Sequence, residues 1–304
     1  MTPVLALPPP VPGVRRDLLT RSGRVTLWEA GQGPVLLLVH SINAAASAYE
    51  VRPLFECMQT DHRVVAVELP GFGSSERGDR AYQIAVYCEA LDDVIAVLSK
   101  EAGAPIHALA VSLSSEFLAR VARAHPERLR SLTLVTPTGF DRRSDRRRGP
   151  EAASREVPWL HRILSNPRWS QGLFNLLTRR ASIAYFLGRT FGTRAVPEAL
   201  TDYCWLSARQ PGARHAPLSF LSGRLFSADS RLVYEALSMP VWVPHATRGD
   251  FRDFSGAEWA RARPQWRFQA FEAGALPYFE HPGLFEEALR GFLSATEASG
   301  RVSV

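Results

Sequence analysis

A chain of 304 residues suits one large α/β domain, or a domain carrying an inserted subdomain. Its hydrophobic share of 46% is ordinary for a globule, and no apolar run approaches the roughly 20 residues a membrane helix needs, so no transmembrane segment is expected. The net charge of +6 rests almost wholly on arginine, Lys100 being the single lysine, and no stacking aromatics interleave with the densest arginines, which argues against a nucleic-acid partner.

That densest cluster runs from Asp141 to Arg148. It reads as a solvated loop with partly self-compensating charge; attraction of an acidic partner or a membrane surface is the alternative. Cys57, Cys88 and Cys204 lack metal-like spacing and read as reduced thiols of a cytoplasmic protein. Residues 1–14, broken by Pro8, Pro9 and Pro10 and without a basic flank, read as a stiff tail rather than a secretory signal.

In chain order, residues 24–28 read as a strand. Residues 34–40 form a continuous apolar run, typical of a strand buried on both faces. Residues 45–58 read as a helix and 63–69 as a strand ended by Pro70-Gly71. Tyr87, Leu91, Val94, Ile95 and Leu98 share one helical stripe. A strand at 106–111, a helix at 113–124 and a strand at 129–135 follow. Such alternation predicts a mostly parallel central sheet with helices on both faces, the α/β class. The alternation then stops. Residues 139–239 show only helical pieces and read as an inserted cap. It resumes with a strand at 240–245, a helix near 257–262, a strand at 266–271 and a final helix at 283–294. The core is therefore expected at 1–138 and 240–304.

Four segments sharpen this reading. Val39-His40-Ser41-Ile42 resembles the oxyanion loop of α/β-hydrolase-fold proteins. Glu68-Leu69-Pro70-Gly71-Phe72-Gly73-Ser74-Ser75 resembles their Asp-x-Pro-Gly-x-Gly-x-Ser stretch. His125-Pro126-Glu127-Arg128 resembles the close of the helix after the nucleophile. Gly274-Ala275-Leu276-Pro277 and the residues through Pro282 resemble the loop that carries the catalytic histidine. The resemblance, to an α/β-hydrolase with a helical cap, covers nearly the whole chain and implies no cofactor and no metal.

It also implies site residues. Ser112, in Ala110-Val111-Ser112-Leu113-Ser114, falls at the nucleophile elbow, where the sharp strand-to-helix turn requires small residues two before and two after. The family usually has glycine there; Ala110 and Ser114 are both small. An ordinary helix-capping serine is the competing reading. The oxyanion donors would be the backbone N–H groups of Ile42 and Leu113. The acid would be Asp250, with Asp253 close enough to replace it and a surface ion pair between Asp250 and Arg248 as a third possibility.

The base is missing. Ala275 stands where the family's histidine belongs and cannot take a proton from Ser112. His281 could fold back, or could cap the last helix. His161 or His215 of the cap could reach down. Otherwise no triad operates. His40 and His245 end strands nearby and read as braces. Changes at the elbow glycines, the oxyanion-loop glycine and position 275 together read as natural divergence rather than one deliberate replacement. The expected function is that of a serine hydrolase or esterase relative, with an incomplete triad, acting on a small hydrophobic molecule. A lyase, cyclase or isomerase on the same scaffold, or a ligand-binding protein that has lost turnover, remain alternatives. Substrate and oligomeric state are not legible.

Overall fold

A computed structural model describes residues 6–301, with side chains through residue 298; the first five residues of the expected tail lie outside it. Strands β1 (Val14–Thr20), β2 (Gly23–Ala30), β3 (Val35–Val39), β4 (Arg63–Glu68), β5 (Ile106–Val111), β6 (Leu129–Val135), β7 (Val241–Ala246) and β8 (Trp266–Phe271) form one sheet. Their order is β1-β2-β4-β3-β5-β6-β7-β8. The β1–β2 and β2–β4 pairs are antiparallel, and all pairs from β4 through β8 are parallel.

The sheet is buried on both faces because its central strands are largely apolar, β3 at every position. Leu37 and Val39 point to one side with Val65, Val67, Ala108 and Leu132. Leu36 and Leu38 point to the other with Val64, Ala66 and Leu109, as the two-residue period of a strand requires. The first face is covered by α2 (Ile84–Ala102), which buries Tyr87, Leu91, Val94, Ile95 and Leu98, and by α3 (Ser114–Ala124). The second is covered by α1 (Arg52–Met58) and the final helix (Pro282–Arg301), through Phe55, Met58, Phe285 and Leu289. Each fully buried Leu or Phe contributes about 1.5–3 kcal/mol.

Two elements depart from the sequence reading. Strand β1 went unread because an edge strand needs no apolar face; Val14 and Leu19 are exposed and Arg15, Arg16 and Asp17 lie between them. The helix expected over 45–58 is only a 3₁₀ turn at Ala48–Val51 followed by α1, whose start is set by Pro53 in its first turn. The alanines before it form a loop instead, held where Asn43 Oδ1 accepts the Ala45 N–H at 2.8 Å.

Between β6 and β7 the described chain is helical: α4 (Pro158–Leu164), α5 (Ser170–Leu177), α6 (Arg180–Phe191), α7 (Glu198–Ala208), α8 (His215–Leu221) and α9 (Ser230–Glu235). The remaining extended contact there is the isolated bridge Ser154–Ser227. The short helices α10 (Glu258–Arg261) and α11 (Pro277–Glu280) complete the set, with the final helix as α12. Buried charges fasten the helical block to α3. Arg120 is paired with Asp229, and Glu116 accepts the Ser227 N–H at 3.0 Å. Pairs inside the block use part of the arginine-rich run: Arg147 binds Asp141 at 2.6 Å, Arg148 binds Glu235 at 2.6 Å, and Asp145 binds Arg231 at 2.9 Å.

Candidate active site

Strand β5 ends at Val111 and α3 begins at Ser114, leaving a two-residue turn. Ser112 turns the chain with φ of +53°, a left-handed conformation that costs an L-residue roughly 1–2 kcal/mol. Its N–H is anchored to Val135 O at 2.9 Å, and its carbonyl accepts from Ser115 N–H at 3.1 Å. Ala110 and Ser114 are fully buried. Ser114 Oγ donates to the His40 carbonyl at 2.6 Å, so the second of the two small residues also ties the turn to the loop after β3. Among the described residues, Ser112 Oγ has no hydrogen-bond partner, and no acceptor takes the N–H of Leu113 or Ile42.

The loop carrying Ile42 is organised by a buried carboxyl that no sequence pattern singles out. Glu50 accepts the Ser41 N–H at 2.9 Å on one oxygen and Asn43 Nδ2 at 2.6 Å on the other. It is almost wholly buried, and burial pushes its pKa up. The 3₁₀ turn that carries it packs against α7, where the Tyr49 ring stacks on Tyr203 at 4.6 Å. The Tyr278 hydroxyl is buried without a partner. His40 braces the same loop from below. Its Nδ1 donates to Ser41 O at 2.6 Å and its Nε2 accepts from Leu69 N–H at 3.0 Å, a tautomer that both contacts fit. Burial pulls the imidazole down to about 4, so it is neutral near pH 7.

Ala275 is buried in the loop after β8, and its N–H donates to Thr190 O at the end of α6, at 3.0 Å. That loop is pressed against α6: a Cβ at Gly274 would lie 2.3 Å from Phe191 Cα. Glu280 Oε1 fixes it further by accepting the Gly274 N–H at 2.6 Å. Asp250 follows β7. Its side chain is 44% exposed and accepts from Arg189 Nε at 2.7 Å; the expected alternative partner, Arg248, pairs instead with Glu280. Asp253 is exposed, and its carboxylate takes the Ser255 hydroxyl at 2.6 Å, the Ser255 N–H at 3.0 Å and the Arg142 N–H at 3.3 Å. Neither carboxylate is hydrogen-bonded to the loop at 274–276.

Among the described residues no histidine is hydrogen-bonded to Ser112, and each has other partners. His281 Nε2 meets Glu272 O at 3.3 Å, and its carbonyl accepts the Phe285 N–H at 3.0 Å, opening α12. His161 lies between Ser222 Oγ and Arg224. His215 faces Asp79 at 3.3 Å, and His245 stacks on Phe254 at 4.3 Å. His62, His107 and His125 are held by Asp61, Ser131 and Asp92. One neighbour of the elbow escaped the sequence reading. Thr136, which follows the Val135 that anchors Ser112, has φ of +43° and a buried hydroxyl without a partner. A β-branched residue in that region is a genuine outlier, and nothing in the local sequence marks it.

Capacious space elsewhere has a different chemistry. A cleft of about 500 Å³ between α2, α3 and residues 152–156 is lined by Cys88, Arg120 and His125 but not by Ser112. Burial pushes the Cys88 thiol up to about 12, which leaves it unreactive at neutral pH.

With this geometry in hand, the comparisons agree on one family. Residues 34–217 match the model of the α/β hydrolase fold. The chain is 31% identical over 251 residues to 2-hydroxymuconate semialdehyde hydrolase of Pseudomonas putida, covering 77% of this chain and 85% of that one. It is 32% identical over 112 residues to pimeloyl-[acyl-carrier protein] methyl ester esterase of Aeromonas hydrophila; that match spans 36% of this chain and 41% of the esterase. Among solved structures, a serine hydrolase involved in carbazole degradation superposes with a TM-score of 0.69 at 16% identity, covering 93% of this chain and 99% of that one. The chain belongs to the α/β-hydrolase fold family, and its relatives include esterases and other hydrolases.

Proposed function

We propose that this protein takes a small, hydrophobic, carbonyl-bearing molecule beneath a cap formed by residues 139–239. Ser112 is the nucleophile, and the N–H groups of Ile42 and Leu113 receive the developing oxyanion. Asp250 is the acid of a site whose base is absent at Ala275. The observation that carries this reading is the strained elbow: Ser112 sits in the left-handed region with a free Oγ, and both backbone donors lack acceptors. The names of the two hydrolase relatives, a semialdehyde hydrolase and a methyl ester esterase, support a carbonyl substrate. The three free cysteines support a reducing, cytoplasmic setting.

Without the imidazole, the oxyanion donors and binding leave roughly 10³–10⁴ of acceleration over water, against about 10⁶ or more for a working triad. The protein is thus a slow serine esterase relative. A second reading, a non-hydrolytic enzyme or a ligand-binding protein, is favoured by the engagement of every histidine elsewhere. A fluorophosphonate probe and p-nitrophenyl esters separate them. Labelling at Ser112 and ester turnover that Ser112→Ala removes support the first. Absent labelling beside saturable binding of a hydrophobic ketone or ester supports the second.

A further inference from the structure

We propose that the outer face of α4, α5 and α6 docks onto a lipid bilayer rich in anionic headgroups. This inference does not depend on the reading of the Ser112 site.

The first ground is exposed apolar surface. Trp159, Ile163, Trp169, Leu176, Tyr185 and Phe186 are all exposed, Trp159 and Tyr185 at 64% and 60%. They form a continuous face. Trp159 and Ile163 lie one turn apart on α4, and Trp169 Nε1 donates to Ile163 O at 2.8 Å, which holds the indole against that helix. Trp169, Leu173 and Leu176 follow at i, i+4 and i+7, which runs a stripe along α5. From Leu176 the surface continues over a shallow trough of about 430 Å³ to Tyr185 and Phe186 on α6. Leaving such a patch in water is unfavourable unless something covers it.

The second ground is charge. From Val157 through Pro197 the sequence has six arginines and no aspartate or glutamate. Arg180 and Arg189 reach outside the stretch, to Asp202 and Asp250. Arg162, Arg168, Arg179 and Arg194 are exposed, and among the described residues no carboxylate pairs with them. The run at 141–148 differs, because there Arg147 and Arg148 are spent on internal pairs. Tryptophan, tyrosine and leucine beside unpaired arginines is the composition of a face that lies in the headgroup layer.

Charge also decides between occupants. In a two-fold dimer the same patch would meet itself, setting unpaired arginines against arginines with no acid to offset them. A nucleic acid would find phosphate partners, but the trough offers base edges only the Tyr185 hydroxyl, because Ser182 Oγ already donates to Leu176 O. A bilayer satisfies both halves. The site's relation to the face is direct, since the α6 that presents Tyr185 and Phe186 also receives the Ala275 N–H at Thr190.

The test is co-sedimentation of the full chain with phosphatidylcholine vesicles, with and without phosphatidylglycerol. The expected result is binding to the phosphatidylglycerol vesicles alone, weakening as salt is raised, with a blue shift of tryptophan emission. The variant Arg162→Gln/Arg168→Gln/Arg179→Gln/Arg194→Gln should lower partitioning about a hundred-fold or more. Trp169→Ser/Phe186→Ser should lower it comparably, and both variants should keep the parent's melting temperature. The proposal is overturned by equal or absent binding to the two vesicle types, or by binding that neither variant changes. It is also overturned if the Trp169→Ser/Phe186→Ser variant abolishes a concentration-dependent dimer seen without lipid, or if a random oligonucleotide binds more tightly than the vesicles do.

Discussion

Arg189 holds the carboxylate of Asp250 at 2.7 Å, while the very next residue, Thr190, accepts the N–H of Ala275 at 3.0 Å. Asp250 and Ala275 thus border the same end of α6, and the Asp250 carboxylate is engaged by an arginine. An imidazole introduced at 275 would compete with that guanidinium for its orienting acid.

The first prediction follows from this competition. Ala275→His should raise hydrolysis of an activated ester roughly 10²–10³-fold, short of a full triad because an unoriented imidazole samples wrong tautomers. Adding Arg189→Ala releases Asp250 and should raise kcat about ten-fold further. Ser112→Ala in the same background should return the rate to that of the parent. An Arg189→Ala addition that leaves kcat unchanged would show that Asp250 is not the acid.

Strain at the elbow predicts a trade between stability and chemistry. Ser112 at φ +53° has no hydrogen bond from its hydroxyl to lose, and glycine occupies that conformation without the Cβ penalty. Ser112→Gly should therefore stabilise the protein by about 1 kcal/mol in urea unfolding while abolishing fluorophosphonate labelling. A destabilised Ser112→Gly would mean that the turn is not strained.

Glu50 is the acceptor for two donors of the loop that carries Ile42. Glu50→Ala leaves the Ser41 N–H without a partner and Asn43 Nδ2 with Ser41 Oγ alone, and should cost about 1–3 kcal/mol. Glu50→Gln keeps an acceptor and should cost less. Because burial raises the folded pKa of Glu50 above its unfolded value, the folded state holds the proton more tightly, and its contribution to stability falls as pH rises through the folded pKa. The stability of Glu50→Gln relative to the parent should accordingly improve between about pH 4.5 and pH 8. Denaturant midpoints of the two proteins at both pH values check the sign.

His40 runs the other way. Its folded pKa, about 4, lies below its unfolded value, so its contribution is full above about pH 6.5 and is lost as pH falls toward 4. His40→Gln can still accept from Leu69 and donate to Ser41, and it does not titrate. Its melting temperature should drop less than the parent's between pH 7 and pH 4.5. Parallel curves would show that His40 is not buried neutral.

Sequence alone determined the parts of this protein that depend on periodicity and on steric need. Largely apolar runs marked β3 through β7 because a strand covered on both faces buries most of its side chains. The helical stretch after Val135 was legible from the end of strand–helix alternation, and Ser112 from the small residues on either side of it, since a sharp strand-to-helix turn admits no bulk there. Strand β1 was not legible, because an edge strand is held by backbone hydrogen bonds to β2 and its side chains can be anything soluble. The partners of the polar groups were decided only in three dimensions. Nothing local says that Asp250 turns to Arg189, that Glu50 organises the Ile42 loop, or that Thr136 is strained. Those pairings join residues far apart in the chain, and their energies depend on burial and on which charges the folded chain brings within reach.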